Sequence, residues 1–205
     1  MERKIHTYNS GLECYEDSIY DGTLKRYKNT INCHEPLETS VFEHIMKNCE
    51  IKTFVDIGSA WGYYSILARL YNKNTKIIGF DPDKEMIQNA HDNSVLNNTK
   101  ELEFRCGAIP QDTTLKDLVN EIGEIGLVKL DIQGTAHHAL ESAESSISKI
   151  KNIIIGTHGL NLSGGNEHKH CISILESCGF KIKINLKQDQ TPLQPDGLVW
   201  AIHDC

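Results

Sequence analysis

The sequence predicts an α/β protein built on a mostly parallel sheet, and three observations carry that prediction. From Thr53 onward, short β-rich runs alternate with amphipathic stretches, the pattern of parallel strands joined by crossover helices. A glycine turn, "DIGSAWG", follows the first of these runs and opens a helical segment. The last two β-rich runs are separated only by "KQDQTPLQPD". That is too short for the crossover that parallel neighbours need, so the pair forms an antiparallel hairpin at one edge of the sheet.

In chain order, residues 1–34 read as an irregular arm or cap, and "PLETSVFEHIMKN" as a helix covering the sheet. "TFVDI" (Thr53–Ile57) is the first strand of the sheet, and "YYSILARLY" continues its glycine turn as a helix. "KIIGF" is the second strand, followed by a helix that Asp83 caps and that runs towards Asn97. "LEFRC" is the third. After it, "TLKDLVNEI" places Leu115, Leu118, Val119 and Ile122 on one helical face. "LVKLD" (Leu127–Asp131) is the fourth strand, with a helix from Thr135 to Ile147. "NIIIG" is the fifth. The next helix, Asn166 to Cys178, carries Cys171, Ile174, Leu175 and Cys178 at core spacing and stops at Gly179. "FKIKINL" and "GLVWAIH" form the terminal hairpin.

A chain of 205 residues can bury a full core, and a single domain is expected, with 1–50 as arm and covering helix and 51–205 as core. No apolar run approaches the ~20 residues that span a bilayer. The charged start, "MERKIHTYNSGLECYED", lacks the apolar core of a secretory signal, so a cytoplasmic protein is expected. Seven cysteines form no CxxC pair and read as mostly reduced, buried thiols. Net charge is −7 and no Lys/Arg cluster makes a basic face. Nucleic acid and membrane are therefore not the expected partners, and a small-molecule substrate is.

Strand, tight turn and helix bring backbone N–H groups and a helix dipole to one point, where Gly58 and Gly62 allow close approach. The nicotinamide fingerprint GxGxxG fails, because Ala60 and Tyr63 stand where its second and third glycines belong. A P-loop fails for want of its lysine. "DIGSAWG" fits the looser D-x-G-x-x-x-G turn of S-adenosylmethionine enzymes, and Asp81, ending the second strand, stands where a ribose-binding acid belongs. A nicotinamide-dependent oxidoreductase is the disfavoured alternative.

"VDIGSAWGYYSILA", "GFDPDKEMIQNAHDNSVLNN" and "LVKLDIQGTAHHALESAE" together resemble the FkbM-type branch of class I S-adenosylmethionine-dependent methyltransferases. That family shows DxGAxxGxxS, an E/DP dipeptide, an N-x-x-x-N helix end and K-x-D-x-E-G in this order. The resemblance covers about residues 50–185. It implies a Rossmann-like sheet of seven strands with helices on both faces, ending in a reversed hairpin. It also implies S-adenosylmethionine as cofactor, with Asp56, Gly58, Ser59, Ala60 and Gly62 around its methionine part. Ser65 either caps the helix or touches the ligand, Asp81 binds ribose, and Ala108 lies near adenine. Gln133 stands where the family has Glu, which keeps hydrogen-bonding reach and loses charge.

Methyl transfer needs an aligned acceptor and, for a hydroxyl, a way to remove its proton. Asp131 and His158 follow adjacent strands at the carboxyl edge of the sheet. His158 is the candidate base or acceptor-orienting group, and Asp131 the cofactor or substrate anchor. The plainer alternatives are a loop histidine bonded to backbone and a helix-capping Asp. Trp61, Tyr63 and Tyr64 either floor the pocket or pack in the core. His137–His138 and His168–His170 diverge at helical spacing and do not chelate, so no metal is expected. O-methylation of a small-molecule or carbohydrate-like hydroxyl is the expected activity, and a cofactor-binding module without catalysis is the alternative.

Overall fold

The computed structural model describes residues 3–28, 31–99, 101–158, 167–191 and 193–203. Seven strands form the main sheet: β3 (Thr53–Ile57), β4 (Lys76–Asp81), β5 (Glu103–Cys106), β6 (Ile125–Leu130), β7 (Ile150–Thr157), β8 (Lys181–Leu186) and β9 (Gly197–Ile202). Their order is β5-β4-β3-β6-β7-β9-β8. The first five are parallel, and β9 pairs antiparallel with both β7 and β8. The terminal hairpin thus lies at an edge, with the last strand on its inner side.

Helices cover both faces. α2 (Pro36–Asn48), α3 (Tyr63–Tyr71) and α4 (Lys84–Leu96) pack on one face, where Phe42, Ile45, Phe54, Ile66 and Leu127 are buried. α5 (Leu115–Ile122), α6 (Ala136–Ser142) and α7 (Glu167–Ser177) pack on the other, around Val128, Leu130, Leu140, Ile153 and Leu175. The central strand β3 is buried at every position, as a strand covered on two sides must be. Alternation along β6 sends Leu127 and Lys129 to the first face, and this places a lysine inside the protein below the site.

Three sequence expectations change. The helix expected from Thr135 to Ile147 ends as α6 at Ser142 and passes into a 3-10 segment, Glu144–Lys149, with Glu144 at φ 48°. Of the six described cysteines, all free, only Cys14 and Cys171 are buried. The expected irregular arm is built: β1 (Ile5–Thr7) and β2 (Glu13–Tyr15) form a hairpin, followed by α1 (Asp21–Lys28). Its partner is α4. Asn97 accepts from Glu13 N–H at 2.9 Å and donates to Glu13 C=O at 2.6 Å. Asn93 accepts from Tyr15 N–H and donates to Ser18 Oγ and Trp61 C=O, each at 3.0 Å. The N-x-x-x-N spacing puts both amides on one helix face, where they tie the amino-terminal segment to the glycine turn.

Candidate active site

The carboxyl ends of β3, β4 and β6 open into two adjoining cavities of about 230 and 410 Å³ that share Tyr20, Gly58, Asp81, Asp131 and Gln133 as walls. The smaller lies under the amino-terminal segment, which contributes Thr23, Arg26, His34 and Glu35, opposite Ser59, Ala60 and Lys129. The larger runs past Pro82 and Asp83 to Ala108, Ile109 and Gln111. Trp61, Tyr63 and Tyr64 both line the smaller cavity and are buried in the core, so floor and packing coincide.

The turn is built by hydrogen bonds and crowding. The N–H groups of Gly58 and Ser59 both donate to Phe80 C=O at 2.8 Å, and Ala60 N–H donates to Asp81 Oδ2 at 2.9 Å. Asp83 N–H holds the other carboxylate oxygen at 2.9 Å. The glycines answer to protein neighbours rather than to open space for a ligand. A Cβ on Gly58 (φ 82°) would meet Asp131 C=O at 2.0 Å, and one on Gly62 (φ 85°) would meet Ala90 Cβ at 3.1 Å. Asp56 and Ser65 are buried beneath the turn, with Ser65 Oγ donating to Asp56 Oδ2 at 2.7 Å. Asp56, Gly62 and Ser65 are not among the residues lining either cavity, whereas Gly58, Ser59, Ala60, Asp81, Ala108 and Asp131 are.

Asp131 and His158 do meet. His158 Nε2 lies 2.7 Å from Asp131 Oδ1, and Nδ1 lies 2.9 Å from Asp196 Oδ1. Burial alone would lower the imidazole pKa, but the two carboxylates outweigh it and raise it to about 10. Burial pushes Asp131 up, and Lys129 with His158 then pulls it down to about 2. His158 is therefore an imidazolium at neutral pH with both N–H groups engaged, set behind Asp131 and away from the cavity linings. Lys129 Nζ reaches Glu38 Oε1 of α2 at 3.1 Å and Asp131 Oδ2 at 3.7 Å. Lys129 is the Lys of the K-x-D-x-E-G pattern, which does not reveal its burial against Glu38, and Asp196, Glu38, His34 and Glu35 carry no motif spacing that singles them out. Only the clustering of "HEPLE" ahead of a helix hinted at the last three. The loop expected to shape the acceptor pocket falls largely on 159–166, outside the described residues.

Asp131, His158 and Asp196 are the one grouping among the described residues whose ligand atoms lie within 4.8 Å of one another. The helical histidines differ from expectation. The rings of His137 and His138 lie 3.9 Å apart with their planes tilted by 41°, and His170 lies 5.7 Å from His137. Side-chain torsions rather than backbone spacing decide that contact.

Strand order, terminal hairpin and a cleft over the glycine turn define a class I methyltransferase fold. The methyltransferase FkbM domain matches residues 81–182, and the chain belongs to the FkbM-type family of class I S-adenosylmethionine-dependent methyltransferases. No curated protein matches the sequence. Among solved structures, magnesium protoporphyrin IX methyltransferase from Synechocystis PCC 6803, with bound S-adenosylmethionine, superposes with TM-score 0.62 at 15% identity over 93% of this chain and 88% of that one. Precorrin-6y C5,15-methyltransferase from Geobacter metallireducens gives 0.60 at 10% identity over 83% and 88%. Ribosomal protein L11 methylase from Lactobacillus delbrueckii gives 0.56 at 15% identity over 82% and 79%. A porphyrin, a precorrin and a ribosomal protein appear in these names, so the shared fold does not choose the acceptor.

The residues present fit the cofactor of this family. Each Asp81 oxygen accepts one backbone N–H and keeps a lone pair for a ribose hydroxyl. Ser59 Oγ is buried without a protein partner beside the turn. Ala108 and Ile109 offer an apolar wall for a base.

Proposed function

We propose that this protein transfers a methyl group to a hydroxyl oxygen of a small-molecule or carbohydrate-like acceptor. It does so as one catalytic domain, in which residues 1–50 cover a core of 51–205. The observation that carries this reading is the smaller cavity, about 230 Å³ and roofed by the amino-terminal segment beside Asp131. Its size suits a compact acceptor. A net charge of −7 disfavours nucleic acid as partner. Among the described residues no helix is long and apolar enough to cross a membrane; residence in the cytoplasm without a membrane partner is part of this proposal.

When bound, S-adenosylmethionine supplies an electrophilic methyl on a sulfonium. Asp81 holds the ribose hydroxyls, Gly58, Ser59 and Ala60 hold the methionine end, and Ala108 borders adenine. Asp56, Gly62 and Ser65 support the turn from beneath. Asp131 anchors the reacting pair, and His158, fixed between Asp131 and Asp196, orients that carboxylate. A ring with both nitrogens protonated accepts no proton, so orientation is the role left to His158.

Incubation with labelled S-adenosylmethionine and a panel of sugars, phenols, amines and RNA, read by mass spectrometry, tests the reading. A product methylated on hydroxyl oxygen supports it. Methylated amine or RNA overturns it, and cofactor binding without any product points to a binding module.

A further inference from the structure

Glu35 opens α2, yet its carboxylate makes no cap to that helix. Its backbone is held at φ 39°, ψ 74°, a left-handed conformation costly for a residue with a side chain. It is 5% exposed, lines the smaller cavity, and faces the glycine turn across it. A carboxylate buried in a strained backbone costs stability, and such positions concentrate where chemistry is done.

The partners of Glu35 form a directed chain. Tyr64 O–H lies 3.3 Å from Glu35 Oε2, and His34 Nε2 lies 3.4 Å from the same oxygen. His34 Nδ1 is hydrogen-bonded to the Tyr27 hydroxyl. Burial, with Lys129 nearby, pushes the His34 pKa down to about 3, so the ring is neutral and has one N–H and one lone pair. Burial also raises the Tyr27 pKa, so its hydroxyl stays protonated and donates to Nδ1. The Nε2 edge of the ring then faces Glu35 Oε2 at 3.4 Å. The carboxylate is oriented by the Tyr64 hydroxyl and backed by a neutral histidine.

Resting on the reading of the site as an O-methyltransferase, we propose that Glu35 is its general base and that a sulfonium cation arms it. The step balances. The hydroxyl proton of the acceptor passes to the Glu35 carboxylate, and the acceptor oxygen uses a lone pair to bond the methyl carbon. The electron pair of the broken carbon–sulfur bond stays on sulfur. One positive and one negative charge disappear together, which a buried, low-dielectric chamber favours.

The surroundings explain why arming is needed. Burial raises the Glu35 pKa well above the ordinary value; Glu38, Asp131 and Asp196 add to it, and Lys129 opposes them. Burial and the neighbouring carboxylates thus favour the protonated acid while no cation is in the chamber. A cation entering the chamber favours the ionised form and expels that proton. S-adenosylhomocysteine has the same ribose, adenine and amino-acid groups but an uncharged sulfur, so comparing the two isolates the sulfonium charge.

The test is calorimetric titration of the intact protein with each compound at neutral pH, in buffers of different ionisation enthalpy. S-adenosylmethionine is expected to release up to about one more proton per site than S-adenosylhomocysteine, as the single Glu35 ionisation requires. Glu35→Gln should abolish that difference while both compounds still bind. Tyr64→Phe, which removes a donor to the ionised form, should move the release to higher pH. With an acceptor from the panel, Glu35→Gln should lower kcat by a factor of about 10²–10⁴ with little change in KM for the cofactor. Equal proton release by the two compounds, or a difference that persists in Glu35→Gln, overturns the assignment of Glu35. Loss of binding to both compounds in Glu35→Gln also overturns it, making this residue a cofactor ligand. If neither compound binds the unaltered protein, the methyltransferase reading fails instead.

Discussion

Asp131 and His158 show how a residue's role depends on what lies behind it. Two carboxylates hold the imidazole, and the sign of the linkage follows. His158, raised to about 10 from 6.5, contributes stability that is complete below 6.5 and lost as pH rises through 10. Asp131, lowered to about 2 from 3.8, contributes stability present above 3.8 and lost as pH falls through 2. Denaturant melts should therefore show stability declining from near pH 6.5 towards 10. Asp196→Asn, leaving one carboxylate on the ring, should move the alkaline decline to lower pH. An unchanged profile would show that Asp196 does not help to charge His158. Asp81→Ala should weaken S-adenosylmethionine binding by at least about tenfold in calorimetry, the scale of one lost charged hydrogen bond.

At the scale of elements, two connections position the site, and each makes a prediction. Gly58 is where β3 meets β6, and an added methyl at 2.0 Å from Asp131 C=O has nowhere to go. Gly58→Ala should cost about 3 kcal/mol or more, or leave no soluble folded protein. Normal melting would mean that β6 can move aside. Asn93 and Asn97 dock β2 on α4. Asn93→Leu removes the anchors of Tyr15 and Trp61 and should cost about 1–3 kcal/mol. Hydrogen exchange should then accelerate at residues 13–18 while β3 and β6 stay protected. Uniform loss of protection would instead show that this hairpin belongs to the core.

For the molecule as a whole, a ligand that binds only the folded state raises its stability. S-adenosylmethionine at a hundred times its dissociation constant should add about 2.7 kcal/mol. NAD, whose fingerprint Ala60 and Tyr63 interrupt, should add nothing, and a rise in melting temperature with NAD alone would contradict the cofactor assignment.

Much of this architecture was legible before any coordinate. Periodicity placed the alternating strands and helices, because a strand buried on both faces and an amphipathic helix leave different hydrophobic signatures. The short link before Gly197 required the reversed hairpin, since no parallel crossover fits that length. "DIGSAWG" with Asp81 selected the cofactor by the glycines it lacks. Tertiary structure alone decided the rest. That Gly58 yields to a neighbouring strand, that Asp196 and Asp131 charge His158, and that Glu35 reaches the chamber all depend on contacts between distant segments. Local pattern reports a residue's neighbours along the chain. The charge, burial and hydrogen bonds that determine its chemistry come from neighbours in space.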